Sequence, residues 1–263
     1  MEQIKTLEQL SPLILAQFKR GVIANAPLSP ASFQREIQRG TLFAQRMDGG
    51  LILLRRRDGF WRMSFYLQPD GDVTSLELPK QTVLEIPTRP RDQALKRSET
   101  LWEETGFRLL FSRQRMELAR RSDEFAVRSD CCVRPAICGE EPKILRLMEE
   151  NYDRRTACLP TDDELSEDVA AGHIFLAVTC PEGQVAGFLR LLRTKRIAEV
   201  RQIVVSEPFR GRGIAGALLN QLTLAEGQKG HVWVAQNNVA ALRLYESFGF
   251  AKDEWTSTVW IYQ

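Results

Sequence analysis

An internal repeat limits the fold of this chain more than any other feature. Leu101-Trp102-Glu103-Glu104-Thr105-Gly106-Phe107 resembles Leu244-Tyr245-Glu246-Ser247-Phe248-Gly249-Phe250, and Gly40-Thr41-Leu42-Phe43-Ala44 resembles Gly172-His173-Ile174-Phe175-Leu176. The offsets are 143 and 132 residues. Self-similarity at a fixed period signals a duplicated unit, and 263 residues accommodate two copies of about 125–135 residues. The offset grows by 11 between the two matches, so the copies differ in between. In the second, residues 206–230 hold a glycine-rich turn and a stretch with helical spacing. In the first, only residues 68–81 (Gln68-Pro69-Asp70-Gly71-Asp72 and onward) join two strands, read as a turn with a short strand.

The missing part carries chemistry. Arg210-Gly211-Arg212-Gly213-Ile214-Ala215 follows the apolar run Ile203-Val204-Val205 and precedes a helical stretch expected to reach Gln228. Strand, glycine turn and helix start gather backbone N–H groups around a phosphate, with the helix dipole adding partial positive charge. Taken alone, the same turn also reads as an ordinary tight connection.

The second copy reads as a short strand ending at Val133-Arg134-Pro135 and a helix Glu141–Tyr152 with Ile144, Leu145 and Met148 inward. A helix to Ala171 follows, opened by the capping box Thr161–Glu164. Strands follow at 173–179, 185–193 and 197–205, then the turn, a strand 231–235, a helix 238–247 ended by Gly249, and two closing strands through Tyr262. The first copy matches with helices near 7–22 and 30–39, a hairpin 41–57, strands 61–67 and 82–86, a helix 91–104 and final strands 107–119. The expected fold class is α/β, a mixed and mostly antiparallel sheet with flanking helices, in two domains, 1–126 and 127–263.

Composition sets bounds. Hydrophobic residues make up 43% and charged residues 27%, with a formal net charge of +2. Neither half has the basic bias of a general nucleic-acid binder. No apolar run approaches a membrane span and Met1-Glu2-Gln3 does not read as a signal peptide, so a cytoplasmic protein acting on neither membrane nor nucleic acid is expected. The five cysteines, Cys131, Cys132, Cys138, Cys158 and Cys180, form no CxxC pair, and with only His173 and His231 available no metal site is expected. Both histidines stand at strand starts, where a hydrogen-bonded structural role is expected.

Arg210-x-x-Gly213-x-Ala215, then Asn238-x-x-Ala241-x-x-Leu244-Tyr245 and Gly249-Phe250, resemble in order and spacing the acetyl-CoA signature of the Gcn5-related N-acetyltransferase (GNAT) superfamily. The likeness runs over nearly all of residues 133–263, and the whole chain resembles the tandem GNAT proteins, in which one repeat is often degenerate. The resemblance implies an N-acetyltransferase moving an acetyl group from acetyl-CoA, its co-substrate, to an amine. It implies that backbone amides of Arg210, Gly211, Arg212, Gly213, Ile214 and Ala215 bind the pyrophosphate. Ile203 and Val205 would pair with the pantetheine arm, with the Val205 N–H polarising the thioester carbonyl, and Asn238 and Ala241 would hold the arm. Tyr245 would protonate the departing thiolate, and Trp102 at the matching place in the first copy could not. Glu199 would be the base, or else an ion-pair partner of Arg201; alternation sets Glu199, Arg201, Ile203 and Val205 on one face. The resemblance implies that the acceptor enters opposite the cofactor, near the first two helices and the last strands of the copy, with Asp162, Asp163, Glu164, Glu167 and Asp168 or the rings of Tyr152, Trp255 and Trp260 beside it. A monomer or weak homodimer is expected. A non-catalytic CoA-binding regulator and a longer acyl donor stay open as alternatives.

Overall fold

A computed structural model of the protein describes every residue except 19, 20, 27, 28, 70, 72, 74, 75, 119–130 and 158. The expectations for Asp70, Asp72 and Cys158, and the expected boundary at 126/127, lie outside the described residues. The strands in chain order are β1 (Glu2–Gln3), β2 (Ile23–Ala24), β3 (Leu42–Met47), β4 (Gly50–Arg57), β5 (Phe60–Leu67), β6 (Thr82–Thr88), β7 (Phe107–Leu118), β8 (Cys131–Pro135), β9 (Ile174–Thr179), β10 (Val185–Arg193), β11 (Ile197–Val205), β12 (Lys229–Ala235) and β13 (Phe250–Tyr262). The helices are α1 (Leu7–Leu15), α2 (Gln34–Gln38), α3 (Gln93–Glu104), α4 (Glu141–Asn151), α5 (Asp162–Ala170), α6 (Ile214–Leu219) and α7 (Val239–Phe248). The fold is mixed α/β. Two compact units form, one from Met1–Arg113 with Glu254–Gln263, the other from Gln114–Asp253, so the last ten residues group with the first unit.

In the second unit the strand order β12-β11-β10-β9-β8 is antiparallel except between β11 and β12. Pleating sends alternate side chains to opposite faces. On one face Leu189, Leu191 and Val200 pack with Ile214 and Leu218 of α6 and with Tyr245 and Phe248 of α7. On the other, Leu176, Phe188 and Val204 pack with Ile144 and Met148 of α4 and Leu165 of α5. Each such large apolar side chain, fully buried, contributes about 1.5–3 kcal/mol. The capping box forms as expected: Glu164 N–H donates to Thr161 Oγ1, and Thr161 N–H to the Glu164 carboxylate.

The first unit runs β1-β3-β4-β5-β6-β13, again antiparallel apart from one parallel pair, β5 with β6. Trp102 of α3 lies wholly buried against Phe65 and Phe107, with ring centroids 4.9 and 5.8 Å away. Among the described residues the connector 68–81 holds no helix and no strand.

Three expected elements differ. The helix expected to reach Gln228 ends at Leu219, because the chain tightens into i→i+3 bonds (Gln221 N–H to Leu218 O, Leu222 N–H to Leu219 O). The Arg193 guanidinium then donates to the carbonyls of Gln221 and Thr223. The helix expected over 7–22 stops at Leu15 in the same way, with Gln17 and Phe18 bonded to Ile14 and Leu15. The two closing strands of each copy are single long ones, β7 and β13; the latter pairs with β6 from Thr256↔Thr88 to Tyr262↔Thr82. On α4 it is Leu147 that joins Ile144 and Met148 in the core, and Leu145 is only partly buried.

One ion pair pins the start of α4. Glu140 accepts two bonds from Arg134, at 2.8 and 2.7 Å, and a third from Ile137 N–H at 3.0 Å. Arg134, and secondarily the Ile137 amide, hold its carboxyl down at about 2 against the strong desolvation that opposes them. An ordinary glutamate in the unfolded chain titrates near 4.3, so this stabilisation is complete above that pH and disappears as pH falls through about 2. Glu140→Gln is expected to cost on the order of 1–2 kcal/mol at pH 7, after allowing for solvent screening at the 38% exposed Arg134 side chain, and little at pH 2. Urea denaturation of both proteins across that pH range checks it.

Candidate functional site

The site begins where two parallel strands part. β11 pairs with β12 only from Ile197↔Lys229 to Val200↔Val232. Beyond Val200, β11 keeps β10 on one edge, and among the described residues no strand takes the other. Ser206 N–H donates to Ala186 O, which sets the phase of the ladder. The N–H and C=O groups of Ile203 and Val205 therefore point to the open edge.

A bulge reorders the faces. Arg190 pairs with Gln202 and Leu191 with Val200, leaving Arg201 as an extra residue on β11. Ile203 and Val205 share a face with Leu189 and Gly187, whereas Glu199, opposite Leu192, shares the other with Arg190 and Gln202. The expectation that Glu199, Ile203 and Val205 lie on one face is corrected, because one inserted residue flips the alternation. Glu199 instead faces the side of α4 and α5, and Arg201 donates to its Oε1 at 2.7 Å.

Two side chains close over the open edge. Tyr152, just past α4, accepts from Ile203 N–H at 3.1 Å and donates to Ile203 O at 2.9 Å. Burial pushes its phenol up to about 12. Arg210 donates through Nε to Val205 O at 3.1 Å and through Nη2 to Asn151 Oδ1 at 3.1 Å. Tyr245 on α7 is buried against Phe250, centroids 5.6 Å apart, and its phenol is held well above the ordinary tyrosine range, by burial first and then by neighbouring Tyr152. Asn238 caps α7, its Oδ1 accepting from Ala241 N–H at 3.1 Å. Two expected site residues thus meet in a cap.

The glycine turn stands at the end of this edge. Gly211 and Gly213 have φ of 73° and 76°, left-handed backbone that costs other L-residues about 1–2 kcal/mol. Gly213 is the N-cap of α6 and, among the described residues, no side chain caps it. The first-turn N–H groups of Ile214, Ala215 and Gly216 have no intrahelical acceptor. Arg212 donates to Pro208 O and stacks on Phe209.

The first unit repeats the parting and fills it. β5 pairs with β6 only from Trp61↔Thr82 to Met63↔Leu84. The open edge beyond is taken by the chain itself: β2 pairs Ile23↔Leu67 and Ala24↔Tyr66. Asn25 completes the seal, accepting from Phe65 N–H at 2.7 Å and donating to Glu85 O at 2.9 Å. By register Phe65 corresponds to Ile203 and Leu67 to Val205. Neither Asn25 nor the role of Tyr152 is marked by any spacing in the sequence.

Other candidates are structural. Asp168 accepts from Arg190 and faces His173 Nδ1, and Glu164 serves the cap. His231 contacts Glu117 at 3.2 Å. Trp255 and Trp260 group with the first unit, Trp255 under the Arg89 guanidinium at 4.5 Å.

Close packing also constrains the edge. A Cβ on Gly187 would collide with the Val204 carbonyl and stand 3.2 Å from Val205 Cα. Gly187→Ala is expected to force β10 from β11 opposite Val205 and cost about 1–3 kcal/mol in chemical denaturation.

Comparisons with known proteins bear on this geometry. Residues 170–252 match the family model of the acetyltransferase (GNAT) domain. Over 81 residues, 28% of the chain, the sequence is 32% identical to an uncharacterized N-acetyltransferase of Methanocaldococcus jannaschii, and the match spans 36% of that relative's length. The fold is shared with a GCN5-related N-acetyltransferase from Sphaerobacter thermophilus, at a TM-score of 0.58 and 15% identity over 92% of this chain and 96% of that one. It is shared also with a tandem GNAT protein from the clavulanic acid biosynthesis pathway, at 0.56 and 15% over 97% and 94%.

Proposed function

We propose that the GNAT acetyltransferase domain carried by residues 170–252 of this chain makes the second unit an N-acetyltransferase, passing an acetyl group from acetyl-CoA directly to a primary amine. The observation that supports this most is the contrast between the units. Among the described residues the second keeps a strand edge without a partner strand beside an uncapped glycine turn, and the first has filled the same edge with its own β2.

In this reading the amides from Gly211 to Ala215 receive the pyrophosphate, and the arm of the co-substrate adds to β11 as an extra strand would. Arg210 exchanges its bonds to Val205 and Asn151 for the phosphates. The amine nitrogen attacks the thioester carbon, and the developing oxyanion is met by the Val205 N–H on the open edge. As the C–S bond breaks, the thiolate takes the Tyr245 proton. Burial holds the phenol above the ordinary tyrosine range, so it carries that proton across the neutral range. Glu199 faces α4 and α5, the side expected for the acceptor, and takes the proton the amine sheds, with Arg201 holding its carboxylate.

Calorimetry is expected to find one acetyl-CoA per chain; none, or two, contradicts the assignment. Gly213→Val, which forces a β-branched residue to φ near 76°, should weaken that binding at least about tenfold. Tyr245→Phe should lower kcat by about 10²-fold with little change in affinity, and an unchanged kcat removes Tyr245 from the mechanism. The wild-type rate should show no loss from Tyr245 ionisation below about pH 10, since its phenol is shifted upward.

A further inference from the structure

Tyr152 does more to the open edge than fill space. Its hydroxyl uses both hydrogen-bonding directions on a single residue, taking the Ile203 N–H and returning a proton to the Ile203 carbonyl. One rung of β11 is thereby closed to any added strand. At the next, Val205, the carbonyl alone is engaged among the described residues, by the exposed Arg210 side chain. Behind the hydroxyl the Tyr152 ring packs on the cluster of Ile144, Met148, Phe188 and Val204, so the space past Ile203 is occupied. The first unit supplies an independent comparison. There the corresponding rung at Phe65 is also closed by a side chain, that of Asn25, but the rung at Leu67 is taken by Ile23. A closed rung beside an available one is found in the second unit alone, among the described residues.

Resting on the acyl-transfer reading above, we propose that Tyr152 is a specificity-determining stop. The arm of an acyl-CoA pairs with β11 at the Val205 rung, and its acyl group ends against the Tyr152 hydroxyl and ring, which admit acetyl and reject longer chains.

The experiment measures dissociation constants of acetyl-CoA, butyryl-CoA and CoA for the full chain, so no acceptor is needed. Wild type is expected to bind acetyl-CoA at least about tenfold more tightly than butyryl-CoA. Tyr152→Ala, which removes the ring, should bring that ratio close to one. Tyr152→Phe, which keeps the ring and frees the Ile203 rung, should lower it at least about threefold. A purely structural role would lower the melting temperature of both variants and leave the ratio as in wild type. If either variant melts like wild type and keeps its ratio, or if wild type does not discriminate, the stop is overturned and the acyl-transfer reading stands. If wild type binds none of the three compounds, that reading falls and the stop with it.

Discussion

Everything distinctive about this protein follows from backbone groups that two diverging strands leave behind. When β11 leaves β12 after Val200, the N–H and C=O of Ile203 and Val205 lose the partner a continuous sheet would give them. A buried peptide group without a partner costs about 1–3 kcal/mol, so such an edge has to be answered by protein, water or ligand. The two units answer the same problem differently. In the first, β2 and Asn25 satisfy β5 completely enough to make the edge part of the sheet. In the second, one tyrosine hydroxyl meets both groups of Ile203 and one arginine meets the Val205 carbonyl, and each is a side chain that can let go at the cost of a hydrogen bond or two.

The bulge at Arg201 is the second device, and it works through the first. Without an extra residue, Glu199 would point to the face of α6 and α7 with Ile203 and Val205. With it, the strand serves two sides: Ile203 and Val205 look towards the glycine turn's helix, and Glu199 towards α4 and α5. β5 pairs with β4 without any such shift, from Gly50↔Leu67 to Arg57↔Phe60. A strand that keeps strict alternation cannot present a carboxylate to one face and an open edge to the other at this spacing.

Much of this was legible in the sequence. Ile197–Val205 was bounded to the residue, because alternation and flanking turn residues agree there, and the capping box and Gly249 stop were read from local chemistry that needs no tertiary context. The repeat placed Trp102 opposite Tyr245, and both are buried on the expected helices. What escaped was decided at long range. The end of α6 depends on Arg193, about 30 residues away in the chain. The bulge depends on which residue of β10 each residue of β11 meets. Asn25 and Tyr152 act on strands 40 and 51 residues away, where no period or spacing could mark them.

The losses in the first unit are therefore one change and not three. A glycine turn with uncapped N–H groups keeps its value only while the edge beside it stays open to something negatively charged at one end. With no helix among the described residues of the connector 68–81 to aim such groups, an open edge of β5 would gain nothing from remaining open and would incur the full desolvation cost. Filling it with Ile23–Ala24 removes that cost, and the aromatic stack of Phe65, Trp102 and Phe107 fills the interior beside it. The Trp102 indole at this place has a buried Nε1–H with no partner among the described residues, so packing prevails over polarity at that position. Tyr245 retains a hydroxyl at the equivalent buried place, beside Phe250.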